Sequence, residues 1–142
     1  ILLATGDRAA GIARLREAVE AEPAHVGACN DLAWLLAETG GDLELALELA
    51  RRAVRVSPGG ATLDTIGWVH LKRGDADRAE HAFMQVIEAD GESPSVQYHL
   101  GLALAQQGKT SEAIEALRKA VHANPFPAAQ AAVAELARLE QS

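Results

Sequence analysis

Residues 66–79 read IGWVHLKRGDADRA, a helical run that stops at Gly74 and restarts after Asp75. Glycine suits the residue that follows a helix, where the backbone often turns left-handed. Aspartate suits the start of the next helix, where it caps free N–H groups or favours the helix dipole. The same layout recurs along the chain, because glycines stand 34 residues apart at Gly6, Gly40, Gly74 and Gly108. The spacing therefore predicts a repeated helix–turn–helix unit, with a turn at each of these glycines.

A second series of residues marks where each unit ends. Proline cannot continue a helix, and prolines end the units at Pro23, Pro58 and Pro125, with Gly91 in the corresponding slot of the other unit. The phase predicts part of a truncated unit at 1–23, complete units at 25–58, 60–91 and 93–125, and a terminal helix at 127–141. Within the first unit we expect 1–5 to be the tail of one helix and 8–22 to be its partner.

The composition favours helices throughout. Hydrophobic residues make up 49% of the 142 residues but aromatics only 4%, so the apolar content is mostly Ala, Leu and Val. Alanine and leucine are the best helix formers, whereas strands prefer β-branched and aromatic residues. Small residues stand in the middle of each first helix, at Ala33, Gly67 and Gly101. Glycine inside a helix costs about 1 kcal/mol relative to alanine, which indicates a close helix contact at this position.

These residues resemble the tetratricopeptide repeat family, whose pattern has an aromatic, Leu-Gly and Tyr in the first helix, small and bulky residues in the second, and Pro at the end. The matching positions are Leu32, Ala46, Ala53 and Pro58; Ile66, Gly67, Ala79, Phe83 and Val86; and Leu100, Gly101, Ala113, Leu117, Ala120 and Pro125. The leading aromatic is replaced by Cys29, Leu63 and Gln97, and the tyrosine by Leu36, His70 and Leu104. The resemblance implies an all-α fold, a right-handed α-solenoid of antiparallel helix pairs. A terminal helix would cover the last apolar face, whereas the N-terminal end has no such cover. We therefore expect more repeats before Ile1, or self-association through this uncapped end.

The resemblance also implies that the first helices line a concave surface where partners bind. Both tryptophans and the only tyrosine fall on that stripe, and aromatic side chains are favoured anchors at interfaces. The candidate groove residues are Asn30, Trp34, Asp64, Trp68, Tyr98, His99 and Leu102. Two interpretations of the tryptophans stay open, as partly exposed groove walls or as core packing between units.

The charges of the stripe suggest what kind of partner it takes. Some family members clamp a C-terminal carboxylate with paired Lys and Arg, but Asn30, Asp64, Ser95 and His99 include neither. We therefore predict a protein or peptide that is not a carboxylate-clamp ligand. A basic or apolar segment, extended or as an amphipathic helix, suits the stripe better.

Other classes of function are disfavoured. No two of the five histidines have the helical i, i+4 spacing of a metal site and no HExxH is present, so we predict no catalytic residue, metal or cofactor. We interpret Cys29 as a buried structural residue and His70 as a hydrogen-bonded residue between helices. The net charge of −7 disfavours nucleic acid, which needs clustered cations. No apolar run reaches the ~18–20 residues of a membrane span, so we expect no membrane insertion by this segment.

Two functions remain in competition, a non-enzymatic protein–protein interaction scaffold and a structural spacer or self-association element. The stretches at 32–38 and 63–69 are similar to bacterial tetratricopeptide proteins of exopolysaccharide export, including the exosortase-associated kind. That similarity implies a larger bacterial envelope protein. We expect a soluble chain and leave its compartment open between bacterial cytoplasm and periplasm.

Overall fold

The computed structural model describes residues 5–122 and 126–142. Within them the chain forms eight α-helices and no strand. The helices are α1 (Thr5–Ala21), α2 (Val26–Thr39), α3 (Leu43–Val56), α4 (Gly60–Arg73), α5 (Ala76–Asp90), α6 (Pro94–Gln106), α7 (Thr110–Val121) and α8 (Ala129–Glu140). Successive helices pack on one another from α1 to α5 and onward to α8, and α2, α4 and α6 also pack side by side. The fold is an all-α solenoid, as the sequence predicted.

Three of the turns between helices repeat the same hydrogen bonds. Gly40, Gly74 and Gly108 all have positive φ angles, of 67°, 86° and 77°. At the second turn the N–H of Gly74 donates to the carbonyl of Leu71 at 3.1 Å, and that of Asp75 donates to the carbonyl of His70 at 2.9 Å. Equivalent pairs of bonds form at Gly40 and Gly108. This is the Schellman motif, which satisfies the last free carbonyls of a helix and needs a left-handed residue.

The turn predicted at Gly6 was wrong. Helix α1 begins at Thr5 and runs through Gly6, which is not among the glycines with positive φ. Thr5 therefore belongs to the same helix as the residues that follow Gly6, and Asp7 lies in the first described turn of α1, where a carboxylate favours the helix dipole. Residues 1–4 and Pro125, to which other expectations referred, lie outside the described residues.

Two of the predicted capping residues, Asp42 and Ser93, form N-cap hydrogen bonds. The carboxylate of Asp42 accepts from the N–H of Leu45 at 3.0 Å, and the hydroxyl of Ser93 accepts from the N–H of Val96 at 3.2 Å. Asp75 makes no such bond, because its carboxylate lies 3.3 Å from the guanidinium of Arg73 instead.

Close helix contact explains the small residues in the first helices. A Cβ built on Gly67 would lie 2.5 Å from the ring of Phe83, and one built on Gly101 would lie 2.7 Å from Cγ of Leu117. Phe83 and Leu117 are both fully buried. The two glycines therefore allow α4 to approach α5, and α6 to approach α7, with a large side chain between them.

The helix pairs α2–α3, α4–α5 and α6–α7 lie inside the ranges predicted for the complete units, and α8 lies inside the range predicted for the terminal helix. Helix α1 packs on α2, and α8 packs on α7. The boundaries 1–23, 25–58, 60–91, 93–125 and 127–141 themselves stay a prediction.

Two polar residues of the helix interior differ in how well their polar atoms are satisfied. Cys29 is buried, as predicted, and its thiol donates to the carbonyl of Pro23 at 3.4 Å. The interpretation of His70 as hydrogen-bonded was wrong. Its Nδ1 is buried without a hydrogen-bond partner among the described residues, and the nearest carboxylate oxygen, on Asp75, is 3.8 Å away. Burial lowers the pKa of His70, and the charges of Arg78, Arg51 and Arg73 lower it further against the opposing effect of Asp75.

Substituting Gly67→Ala tests the close contact. We expect the added methyl group to collide with Phe83 and to lower the free energy of unfolding by about 1–3 kcal/mol, although alanine favours helices. The free energy of unfolding is measured by chemical denaturation. Gly6→Ala is the matched control, since no atom lies within 4 Å of its Cβ, and it should raise stability by up to about 1 kcal/mol. Equal stabilisation by both substitutions would contradict the contact.

The depressed pKa of His70 predicts how stability depends on pH. The unfolded chain takes up a proton near the ordinary pKa of 6.5, whereas the folded chain resists it. Stability contributed by the neutral histidine is thus present above pH 6.5 and is lost as the pH falls below it. The melting temperature should decline between about pH 7.5 and 5.5, and His70→Phe should decline less. The exposed His122→Phe should keep the slope of the unmodified protein, and a slope unchanged in His70→Phe would exclude His70 as the cause.

Candidate functional site

Aromatic rings from three neighbouring units stack on one another. Trp34 of α2 and Trp68 of α4 lie 5.0 Å apart between ring centroids with an interplanar angle of 16°. His99 of α6 lies 4.9 Å from Trp68 and 5.7 Å from Trp34. Residues of three units that are far apart in sequence thus form one ring cluster, defined here as Trp34, Trp68 and His99. Stacked and tilted ring pairs add about 0.5–1.5 kcal/mol beyond the area they bury.

A charged hydrogen bond holds the ring of His99 in place. Its Nδ1–H donates to the carboxylate Oδ1 of Asp64 at 2.8 Å, so α6 is tied to α4 at this point. The imidazole also packs against the tilted rings of Phe83 and Tyr98, whose centroids lie 5.4 Å and 5.7 Å from its own. His99 itself is only 7% exposed. It therefore orients the cluster from inside and offers little surface to a partner.

The two tryptophans differ in exposure. Trp68 is 6% exposed, so of the two interpretations that the sequence left open its burial favours core packing between units, with its ring between Trp34 and His99. Its indole N–H is buried without a hydrogen-bond partner among the described residues. Trp34 is half-buried and keeps part of its ring at the surface. The sequence could not separate the two, because both stand at the same slot of the repeat.

The remaining candidates lie at different depths. Asn30 is half-buried, with its side-chain oxygen enclosed and without a partner in the described part of the chain. Tyr98 and Leu102 are half-buried on α6, and together with α4 and α8 they line an open groove of about 390 Å³. The groove is lined by Trp68, Leu71, Lys72, Tyr98, Leu102, Ala105, Gln106, Glu135 and Arg138. Asn30 and Trp34 are not part of this lining.

Two cations that the sequence interpretation left out lie in this groove. Lys72 is exposed, with its ammonium 4.8 Å from the ring centroid of Trp68, a distance typical of a cation–π contact. Arg138 of α8 is bound through two nitrogens to the carboxylate of Glu135. The four stripe positions considered from the sequence contain no Lys or Arg, but the groove that the structure forms contains one of each. Lys72 follows Trp68 by one helical turn and was open to prediction, whereas only the packing of α8 places Arg138 here.

The charged groups of the groove set the protonation of its polar side chains. The pKa of Tyr98 is raised, mainly by burial and further by the negative charges of Glu135 and Glu38. The pKa of Glu135 is lowered by its hydrogen bonds and ion pair with Arg138, against a smaller effect of burial. At neutral pH the groove therefore presents a neutral phenol, a neutralised Glu135–Arg138 pair and the charge of Lys72.

The sequence profile of the tetratricopeptide repeat matches residues 1–61 and 65–128. The chain belongs to the tetratricopeptide repeat family. Members of this family are in general non-enzymatic scaffolds that bind protein partners, and membership supports a protein-interaction scaffold role for this chain. No curated protein matches the sequence.

Solved structures share the fold. TTC0263, a thermophilic TPR protein of Thermus thermophilus, is 21% identical with a TM-score of 0.75, over 92% of this chain and 72% of that one. A structure of MamA is 18% identical with a TM-score of 0.70, over 99% of this chain and 95% of that one. A second structure of MamA protein is 20% identical with a TM-score of 0.70, over 96% and 75% of the two chains. At these identities the similarity establishes the fold alone.

Neither a membrane-spanning helix nor a metal-binding cluster is found among the described residues. None of the helices in 5–122 and 126–142 is long and apolar enough to cross a membrane. In the same residues no cluster of three His, Cys, Asp or Glu side chains has the geometry to hold a metal ion.

Asp64→Ala tests the bond that orients the ring cluster. Removing the carboxylate leaves the buried nitrogen of His99 without a partner, and an unsatisfied buried polar group costs about 1–3 kcal/mol. We expect a loss of unfolding free energy of that size in chemical denaturation, together with a change in the near-ultraviolet circular dichroism of the stacked tryptophans. Asp31→Ala, at an exposed aspartate of α2, should change neither. Equal effects of both substitutions would mean that the Asp64–His99 bond has no role in the cluster.

Proposed function

We propose that the chain captures an apolar segment of a partner protein, as a peptide or an amphipathic helix, in the concave groove between α4, α6 and α8. The observation that carries the proposal is the pair of half-buried side chains Tyr98 and Leu102 in the lining of that groove. Apolar and aromatic groups of this kind lose little entropy on binding when they are already held in place. The ring cluster beneath them, tied by the Asp64–His99 bond, supplies that rigidity.

The charges around the groove support a ligand that is not held by its terminal carboxylate. A clamp requires paired cations, and Arg138 is already neutralised by Glu135. Lys72 is then the cation of the groove lining without an ion pair among the described residues. The net charge of −7 also opposes nucleic acid as the partner. On this proposal Trp68, Tyr98 and Leu102 line the binding groove, and Trp34, Asp64 and His99 support it through the ring cluster. Asn30, also predicted from the sequence, lies outside the lining.

The alternative is a spacer or self-association element of a larger bacterial envelope protein, in which the groove is unused. Helix α1 packs on α2, and self-association through the N-terminal end stays part of this alternative. The compartment, bacterial cytoplasm or periplasm, is open under both functions.

Photo-crosslinking from the groove separates the two. A crosslinking amino acid replaces Leu102 in the full-length protein, or replaces Met84 of α5, which is 50% exposed outside the groove. The groove position should yield a specific adduct with a protein partner and the Met84 position should not, because the partner contacts only the groove.

With the partner identified, calorimetry measures the contribution of the anchor. Leu102→Ser should weaken binding by about 2 kcal/mol, or roughly 30-fold in Kd, as expected for a hot-spot residue. Met84→Ser should leave Kd unchanged. Adducts formed equally from both positions, or a Kd that is unaffected by Leu102→Ser, would favour the spacer.

A further inference from the structure

Helix α4 borders a second concave surface on the side opposite the groove. Ile66 and Trp68 are two residues apart, so they point to nearly opposite sides of a helix with 3.6 residues per turn. On the Ile66 side, α3 and α5 flank α4 and enclose an open furrow of about 440 Å³. The furrow is lined by Val54, Leu63, Ile66, His70, Asp77, Arg78, His81, Ala82 and Gln85.

The furrow exposes apolar side chains that are buried in the neighbouring units. Leu63 and Ile66 are both half-buried. The residues at the slot of Leu63 are Cys29 and Gln97, which are 1% and 4% exposed. Those at the slot of Ile66 are Leu32 and Leu100, which are 1% and 8% exposed. Among the three complete helix pairs in the described residues, only the α4 unit therefore leaves these two positions half-buried instead of buried, and Val54 of α3 adds a third half-buried aliphatic group beside them.

Side-chain size alone does not explain this opening. Leu63 stands where the repeat pattern has its leading aromatic residue, but the smaller residues Cys29 and Gln97 stand at the same slot of the neighbouring units and are buried. The opening is therefore a feature of how α3, α4 and α5 pack around the furrow.

Arginines outnumber carboxylates around this apolar floor. Arg78 lies in the lining and forms no ion pair in the part of the chain that the structure describes. Arg51 and Arg73, which are not part of the lining, also act on His70 at the floor, against the charge of Asp75. The lining contains one carboxylate, that of Asp77. Three arginines therefore face two aspartates here, in a chain whose net charge is −7.

We propose that the furrow is a second protein-binding site, which takes an acidic partner segment with a large apolar side chain. The apolar side chain lies on Leu63 and Ile66, in the space between α3 and α5. A carboxylate of the segment pairs with Arg78 of the lining, and the nearby charge of Arg51 adds to the attraction. The site is distinct from the concave groove and does not depend on it, because the two surfaces lie on opposite sides of α4.

A protein segment suits the furrow better than an anionic membrane. The apolar floor lies in a recess between two helices, where a side chain fits and a flat bilayer does not reach. Helices α3 and α5 also carry carboxylates on their exposed positions, among them Glu48 and Glu88. Those charges would repel an anionic surface that covered the whole face.

The test is a titration of the isotope-labelled full chain, followed by amide chemical shifts, with two synthetic helical peptides. Both peptides carry leucine and tryptophan on one face, and the remaining positions are glutamate in one and lysine in the other. The glutamate peptide should shift the amides of Leu63, Ile66 and Ala82 saturably, and the shifts should weaken with added salt. The lysine peptide should leave them unchanged.

Two variants and two controls locate the site. Leu63→Trp fills the furrow, and Arg78→Glu reverses one of its charges. Each should raise the Kd for the glutamate peptide by at least about tenfold. A melting temperature is measured for each variant to establish that it is folded. If Leu63→Trp does not fold, the affinity of Arg78→Glu for the glutamate peptide tests the site. Arg16→Glu, at an exposed arginine of α1, and Leu102→Ser, in the groove, should leave the affinity unchanged.

Several outcomes would overturn the proposal. They are no saturable shift at millimolar peptide, equal binding of both peptides, shifts confined to Leu102 and Ala105, or affinity unaffected by Leu63→Trp and Arg78→Glu. Displacement of the glutamate peptide by phosphatidylserine vesicles that bind through the same residues would replace the protein partner with a membrane. Because Leu102→Ser tests the groove separately, failure of one site leaves the other intact.

Discussion

The absence of a side chain at two positions sets the distance between paired helices. A Cβ on Gly67 would lie 2.5 Å from Phe83, and one on Gly101 would lie 2.7 Å from Leu117, so neither pair could close on a larger residue. Alanine stands at this position in the first pair, where the counterpart of Phe83 is the smaller Ala50 once the additional Gly41 is counted. The first pair thus has a small residue on both helices at this contact. Dispersion and hydrophobic burial along these contacts then stabilise helices that individually have few large apolar groups.

Helix α4 contributes residues to both concave surfaces, the groove and the furrow. One side of α4 bears Trp68 in the ring cluster and borders the concave groove, and the other side bears Leu63 and Ile66 on the floor of the furrow. The ring cluster joins three units through aromatic contact and one charged hydrogen bond. A surface that rests on such a cluster is preorganised, which lowers the entropic cost of binding. The furrow instead lies between α3 and α5 and is not built on the ring cluster.

Residues at equivalent positions of the repeat lie on corresponding helices, but they can be buried to different extents. Trp34 and Trp68 share a slot, and the sequence correctly assigned both to the first helices, but one is half-buried and the other is 6% exposed. The difference arises because Trp68 has a ring on each side, Trp34 from α2 and His99 from α6. The rings that contact Trp34 are those of Trp68 from α4 and His99 from α6, so its other side is left partly exposed. His70 shows the same limit. Its position between helices could be predicted, but the 3.8 Å gap to Asp75 depends on where Arg73 draws that carboxylate.

By itself the sequence determined the period, the helix pairs, the left-handed glycines at the turns and the positions of close helix contact. These features depend on backbone sterics and on hydrogen bonds between residues a few positions apart, so a local pattern contains them. Even so, the 34-residue spacing treated Gly6 like the other glycines, although it lies within α1 and forms no turn. Only the tertiary structure decided which side chains meet across units and which are left uncovered. Arg138 reaches the groove because α8 packs on α7, and Leu63 is uncovered because of the space between α3 and α5. Both results depend on distances between whole helices, and a single slot of the repeat does not specify those distances.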